Sequence, residues 1–93
     1  VIGGDNHVYN NTINNNVIGL YASSTGNRIE NNNITANGSY GLQTGGGNLI
    51  IKNSAYGQTT NYVVNVSDAV GEILNVSGGA IISNANPWAN FSF

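Results

Sequence analysis

A repeat of 21 residues limits what this chain can fold into more than any other feature. Asn6-His7-Val8-Tyr9-Asn10-Asn11-Thr12-Ile13 aligns with Asn27-Arg28-Ile29-Glu30-Asn31-Asn32-Asn33-Ile34 and with Asn48-Leu49-Ile50-Ile51-Lys52-Asn53-Ser54-Ala55, at a spacing of 21 residues from Asn6 to Asn27 to Asn48. Each copy reads Asn, any residue, Val or Ile, any two residues, Asn, any residue, then Ile or Ala. A second element follows the first two copies as Gly19-Leu20-Tyr21 and Gly41-Leu42-Gln43, with one inserted residue, and Asn61-Tyr62-Val63 is a weaker third version without the glycine. Fixed-period self-similarity of this length is the signature of a stacked repeat in which each unit buries its apolar face only against its neighbours.

The apolar residues come in short groups and never form an i, i+3, i+4, i+7 stripe, so the repeat is built of strands and not helices. Each unit then forms a coil of short strands joined by bends rich in Gly, Asn and Ser. Successive coils lie about 4.8 Å apart, with parallel pairing between coils. Alternation points Val8, Ile29 and Ile50 inward and, after a bend, Ile13, Ile34 and Ala55. Asn11, Asn32 and Asn53 fall at that bend, one above another. An asparagine stacked on its own copy can hydrogen-bond both to that copy and to the turning backbone, which makes its burial tolerable. The sequence thus predicts an all-β parallel solenoid of about four coils held by an asparagine ladder.

Composition narrows the functional classes. The chain has 93 residues, 6% charged residues and a formal net charge of -2. That length allows one domain with a modest core. The absence of a basic stripe argues against nucleic-acid binding. Apolar runs such as Tyr62-Val63-Val64 and Ala80-Ile81-Ile82 are too short to span a bilayer, so no membrane partner is expected. Cysteine is absent, which removes disulfides and thiolate metal sites. The 40% apolar content with low net charge favours a folded chain.

The pattern N-x-[VI]-x-x-N-x-[IA] followed by a G-[LI] strand resembles the repeat of right-handed parallel β-helix proteins of the pectate-lyase-like superfamily. It covers residues 1 to about 66, and the tail ending in Asn86-Pro87-Trp88-Ala89-Asn90-Phe91-Ser92-Phe93 looks like the carboxyl-terminal closure of bacterial members. The resemblance implies a right-handed β-helix over 1–66, with 67–93 as a closing strand and tail of the same domain. It also implies an extracellular or cell-surface setting. The fold hosts lyases, hydrolases, epimerases and proteins without chemistry, so it does not assign an activity.

Chemistry must therefore come from particular residues. Members that cleave polyuronates imply clustered acids and a nearby base, but the acids here are Asp5, Glu30, Asp68 and Glu72 and the bases Arg28 and Lys52. In register, Asp5 stacks under Gly26 and Gly47, and Glu30 lies between Tyr9 and Ile51. No two carboxylates share a column on neighbouring coils, as paired-carboxylate glycoside hydrolysis would need. Asp68 and Glu72, four apart in a less regular region, could approach each other, but they are read as two solvated loop charges. His7 has no second histidine or cysteine with which to hold zinc. No catalytic residue, metal site or cofactor is assigned.

Two surface features remain. His7, Tyr9, Arg28 and Glu30 share an outer face and form a polar and aromatic patch suited to a sugar ring. On the third coil Leu49 and Ile51 occupy the same columns and turn that face apolar, which calls for a cover. The tail, with Trp88 as anchor and Phe91 and Phe93 beyond it, supplies a cap, or else these residues form a homo-oligomer interface. At the other end, Val1-Ile2-Gly3-Gly4 leads directly into the repeat and leaves strand edges open, to be covered by more of a longer chain or by a second molecule. The N-x-S/T triplets at Asn10, Asn33, Asn37, Asn65, Asn75 and Asn90 are expected by chance in so asparagine-rich a chain, and the threonines form no repeated column of the kind that orders ice. Two functions follow: a non-catalytic structural or carbohydrate-contacting module at the end of a larger extracellular bacterial protein or a small self-associating one, or a fragment of a polysaccharide lyase or glycoside hydrolase whose active site lies elsewhere.

Overall fold

The computed structural model describes residues 1–80, 82 and 86–93; Ile81 of the predicted tail lies outside them. The first coil holds β1 (His7–Tyr9), β2 (Thr12–Asn14) and β3 (Ile18–Ala22). The second holds β4 (Arg28–Glu30), β5 (Asn33–Thr35) and β6 (Tyr40–Thr44), and the third β7 (Leu49–Ile51), β8 (Ser54–Tyr56) and β9 (Thr60–Val63). The chain continues through β10 (Ala69–Val70), β11 (Ile73–Asn75) and β12 (Asn90–Ser92). Every strand pairing is parallel, and the strands form three sheets in the orders β1-β4-β7-β10, β11-β12-β8-β5-β2 and β3-β6-β9. The molecule is an all-β parallel solenoid of about four turns, as the repeat predicts.

The inward rows are also those expected from alternation. Val8, Ile29 and Ile50 stack in the first sheet, and Ile13, Ile34 and Ala55 in the second. Ile29, Ile34, Leu42, Ile50 and Ala55 are completely buried, with Leu20 and Ala22 beside them and Ile2, Val8, Ile13, Tyr62 and Val70 packed around the cluster. Burial of each Ile or Leu contributes about 1.5–3 kcal/mol, but a tube of this bore has room for only a few per coil. The corners must supply the rest.

Each coil turns at three corners, and all three follow one rule. The residue before the corner amide takes the left-handed conformation: Asp5, Gly26 and Gly47 at the first corner; Asn10, Asn31 and Lys52 at the second; Asn15, Ala36 and Gly57 at the third. That conformation redirects the chain within a single residue, and Asn, Asp and Gly adopt it most readily. The next residue then drops its amide into the corner. Asparagine is abundant because it serves both positions.

The corner amides form three ladders where the sequence analysis identified one. At the first corner Asn6 donates its backbone N–H and Nδ2 to Asn27 Oδ1 (2.9 and 3.1 Å), and Asn27 does the same to Asn48 (3.0 and 2.9 Å). At the second the series runs Asn11, Asn32, Asn53 and Asn90, and at the third Asn16, Asn37 and Gln58. The remaining amide hydrogen reaches a backbone carbonyl one coil back, as from Asn32 to Val8, Asn37 to Ile13 and Asn53 to Ile29 (3.0, 3.2 and 3.0 Å). Asn53 is fully buried, yet its carbonyl and both amide hydrogens are used. Among the described residues no buried side-chain nitrogen or oxygen lacks a partner, the condition under which buried amides do not destabilise a core.

The third ladder explains the glycine of the G-L element. A Cβ on Gly19 would lie 2.7 Å from Asn37 Nδ2 and 2.6 Å from the Gly41 carbonyl oxygen, and one on Gly41 would lie 3.0 Å from Gln58 Nε2 and 2.6 Å from the Asn61 carbonyl oxygen. The corner amide of the coil above occupies the space a side chain would need. Asn61 lies in β9, the last strand of its sheet, and its Oδ1 instead accepts from Gln58 Nε2 (2.7 Å).

Beyond the third coil the path departs from the repeat. β10 extends the first sheet on β7, and β11 lies at the end of the second sheet, but β12, later in the chain, inserts between β11 and β8. Asn90 thereby takes the rung above Asn53, bonding it at 3.0 and 3.1 Å and donating Nδ2 to the Ile50 and Gly71 carbonyls (3.1 and 2.8 Å). Gly71 lies against the Trp88 carbonyl so closely that a Cβ would overlap that oxygen. The Tyr62 hydroxyl is within hydrogen-bond reach of the Phe91 and Asn53 carbonyls (2.8 and 3.1 Å), and burial pushes its pKa above the ordinary 10.0. This partly buried hydroxyl ties the tail strand to the third coil.

Candidate functional site

The first sheet presents two outward columns, His7-Arg28-Leu49-Ala69 and Tyr9-Glu30-Ile51. At their amino-terminal end the four polar residues meet around Glu30. Arg28 Nε donates to Glu30 Oε2, and His7 Nε2 lies 3.6 Å from Oε1. The Arg28 hydrogen bond outweighs partial desolvation and, with its charge and that of His7, holds the Glu30 carboxyl below its usual 4.5. The His7 ring stacks on Tyr9 with centroids 4.2 Å apart. The patch expected from the sequence is therefore assembled, but its groups are largely engaged with one another. Glu30 holds Arg28 in place and His7 covers one face of Tyr9.

Further along the same columns the surface becomes a groove. Arg28, Leu49, Ile51 and Trp88 line an open depression of about 350 Å³. Ile51 is buried (5% exposed), while the Trp88 indole, on the turn before β12, remains 51% exposed. Lys52 donates its backbone N–H to the Trp88 carbonyl (3.2 Å), and its Nζ lies 4.9 Å from the centroid of the Trp88 ring, a cation-π contact. The polar patch and the apolar pair thus share one continuous face, with Arg28 belonging to both. Lys52 went unassigned in the sequence; the only hint was its place at the left-handed corner, where lysine is disfavoured.

Phe91 and Phe93 do not join this groove. Phe91 lies in β12 beside Ser54, and the Phe93 ring meets Tyr56 at 5.2 Å on the second sheet. The structure separates them from Trp88, with which the sequence grouped them.

One expectation is corrected. Asp68 is not a solvated loop charge. Its Oδ1 accepts from the Asn48 backbone N–H and Nδ2 (2.9 and 3.2 Å), while Oδ2 accepts from the Thr44 hydroxyl and from the Asn65 backbone N–H (2.8 Å). It is the last rung of the first ladder. Burial alone would push its carboxyl up, but the bonds from Thr44, Asn65 and Asn48 prevail and hold it below its ordinary 3.8. The spacing from Asn48 to Asp68 is 20 residues and not 21, which hides the rung from a search at the repeat period.

Among the described residues no group of three His, Cys, Asp or Glu side chains is arranged to hold a metal ion, and no helix is long and apolar enough to cross a membrane. No family model, curated protein or solved structure matches this chain.

Proposed function

We propose that this chain is a non-catalytic β-solenoid module that contacts carbohydrate through the groove on its first sheet, as part of an extracellular protein. The observation that carries the reading is the half-exposed Trp88 indole beside an aliphatic floor, with the Arg28 guanidinium at one side and the Lys52 ammonium over the ring. An aromatic face takes the apolar face of a pyranose, and flanking donors take its hydroxyls, which is how a few polar groups orient a ligand in a mostly apolar cleft. The resemblance of the repeat to pectate-lyase-like β-helices supports carbohydrate as the ligand class and the extracellular setting by analogy of fold.

The test is a titration of the protein with panels of neutral and acidic oligosaccharides, followed by the fluorescence of Trp88, the one tryptophan of the chain. Saturable quenching or enhancement by members of one panel is expected. Calorimetry on Trp88→Ala should then show affinity reduced about tenfold or more, as loss of one stacked aromatic anchor would give. No saturable response to any glycan, with the fold intact by circular dichroism, would overturn the reading.

A further inference from the structure

The chain holds one Asn-Gly step, Asn37-Gly38, and it stands at the third corner of the second coil. At Asn-Gly a backbone nitrogen attacks the preceding side-chain amide with least hindrance, because glycine puts no side chain in the path and leaves the backbone free to turn. The fold does not require this glycine. Its equivalents in the first and third coils are Val17 and Thr59. A Cβ on Gly38 would meet only Val17 and the Asn16 carbonyl oxygen, at 3.7 and 3.8 Å, which is ordinary contact.

In the folded chain both partners of that attack are held. Gly38 donates its N–H to the Asn16 carbonyl (2.7 Å). Asn37 is buried, and its carboxamide is fixed at both ends. Oδ1 accepts from the Asn16 backbone N–H and Nδ2 (3.1 and 3.3 Å), and Nδ2 donates to the Ile13 carbonyl and to Gln58 Oε1 (3.2 and 3.0 Å). Bringing Asn37 Cγ onto the Gly38 nitrogen would break all of these bonds inside the stack.

We infer that Asn37-Gly38 is a self-modification site closed by the third ladder, so that the chain deamidates there when unfolded and, once modified, no longer refolds. The Gly38 nitrogen loses its proton to solvent base and bonds to Asn37 Cγ. The Cγ–Nδ2 bond breaks, the amide nitrogen leaves as ammonia, and water opens the resulting succinimide at one of its two carbonyls. An aspartyl or isoaspartyl residue is left, and neither makes a rung in the middle of a ladder. A carboxylate at this corner still accepts from Asn16 but has no hydrogen for the Ile13 carbonyl or for Gln58 Oε1, and sets negative charge against both. The isoaspartyl form also adds a backbone carbon at the turn between β5 and β6. Asp68 tolerates a carboxylate because its oxygens serve only as acceptors there. The step counts time spent unfolded and withdraws those molecules from the folding equilibrium.

The test holds the chain folded in buffer and unfolded in guanidinium chloride at the same mildly alkaline pH. Deamidation is located by mass spectrometry of the tryptic fragments, of which 29–52 carries Asn37. Asn37 should be the first asparagine converted in the unfolded chain. In the folded chain it should convert on the order of a hundredfold more slowly, the suppression that a sub-global opening equilibrium imposes. On dilution from denaturant, the fraction that regains native circular dichroism should fall with holding time at the rate at which Asn37 is lost. Gly38→Ala, which the contacts at this position admit, should slow conversion about tenfold or more through lost backbone freedom and preserve refolding over the same interval. Similar conversion rates in the folded and unfolded chain, another asparagine converting first in denaturant, full refolding of the modified chain, or a loss of refolding in Gly38→Ala as fast as in the parent would each overturn the inference.

Discussion

The first three coils and the segment after them solve the same stacking problem in different ways. In the coils each rung is filled by the residue 21 positions on, so local sequence order and spatial order agree. Beyond the third coil the rung above Asn53 is filled from 37 positions on, by Asn90, and the rung above Asn48 by an aspartate 20 positions on. The rungs are kept while the path of the chain changes. What is required at each step is a side-chain oxygen at the corner to receive two N–H groups, and any route that delivers one extends the stack.

The largest effect that separates a mid-stack rung from an end rung is expected at Asn53. Asn53→Leu would strand the donors of Asn32 and the Ile29 carbonyl inside the core. A loss of about 3–5 kcal/mol by urea denaturation is expected from several unsatisfied buried groups. Asn11→Leu, at the exposed end of the same ladder, should cost less than about 1 kcal/mol. Comparable losses at the two positions would mean that the ladder is not a buried network.

Next comes the seam between coil and tail. Gly71→Ala would place a methyl group against the Trp88 carbonyl, which is backbone and cannot swing aside. Destabilisation of about 1–3 kcal/mol is expected, with Trp88 fluorescence shifting as the turn before β12 is displaced. An unchanged spectrum and Tm would show that the tail strand does not pack as described.

Asp68 gives a pH signature that the asparagine rungs lack. Its folded pKa is depressed below 3.8, so the stabilisation is present above that value and lost as pH falls through the lower folded pKa. Stability should therefore decline below about pH 4. Asp68→Asn should flatten that decline while costing about 1–2 kcal/mol at neutral pH, because an amide brings a donor toward Asn48, Thr44 or Asn65 where only acceptors are needed. An acid limb that persists unchanged in this variant would assign it to other carboxylates.

The smallest effect lies at the left-handed corners. Ala36 takes φ 53° where the other coils place Asn15 and Gly57. Ala36→Gly should stabilise by up to about 1 kcal/mol, the steric relief exceeding the entropic cost of glycine. A fall in Tm would contradict the corner rule.

These contrasts also mark what could be read in advance. The inward rows and the Asn11-Asn32-Asn53 ladder were legible because Val, Ile and Asn recur at one spacing. The third ladder was present at the same spacing, as Asn16, Asn37 and Gln58, but its last member is a glutamine and its neighbours Val17, Gly38 and Thr59 share no pattern. The tail was not legible, because a strand inserted out of order leaves no period. Its signal is a local match of Trp88-Ala89-Asn90-Phe91-Ser92-Phe93 to Ile51-Lys52-Asn53-Ser54-Ala55-Tyr56, apolar, corner, Asn, any, small, aromatic. The groove inherits this difficulty. His7, Tyr9, Arg28 and Glu30 follow from register alone, whereas the meeting of Arg28 and Lys52 with Trp88 depends on where the tail returns.

Side-chain amide exchange by NMR tests the central claim most directly, that buried corner amides hold the coils together. The Nδ2 protons of Asn27, Asn32, Asn48, Asn53 and Asn90 should exchange orders of magnitude more slowly than those of Asn10, Asn15 and Asn31, which lie at the exposed left-handed positions. Equally rapid exchange across both sets would contradict the ladders and, with them, this account of the fold.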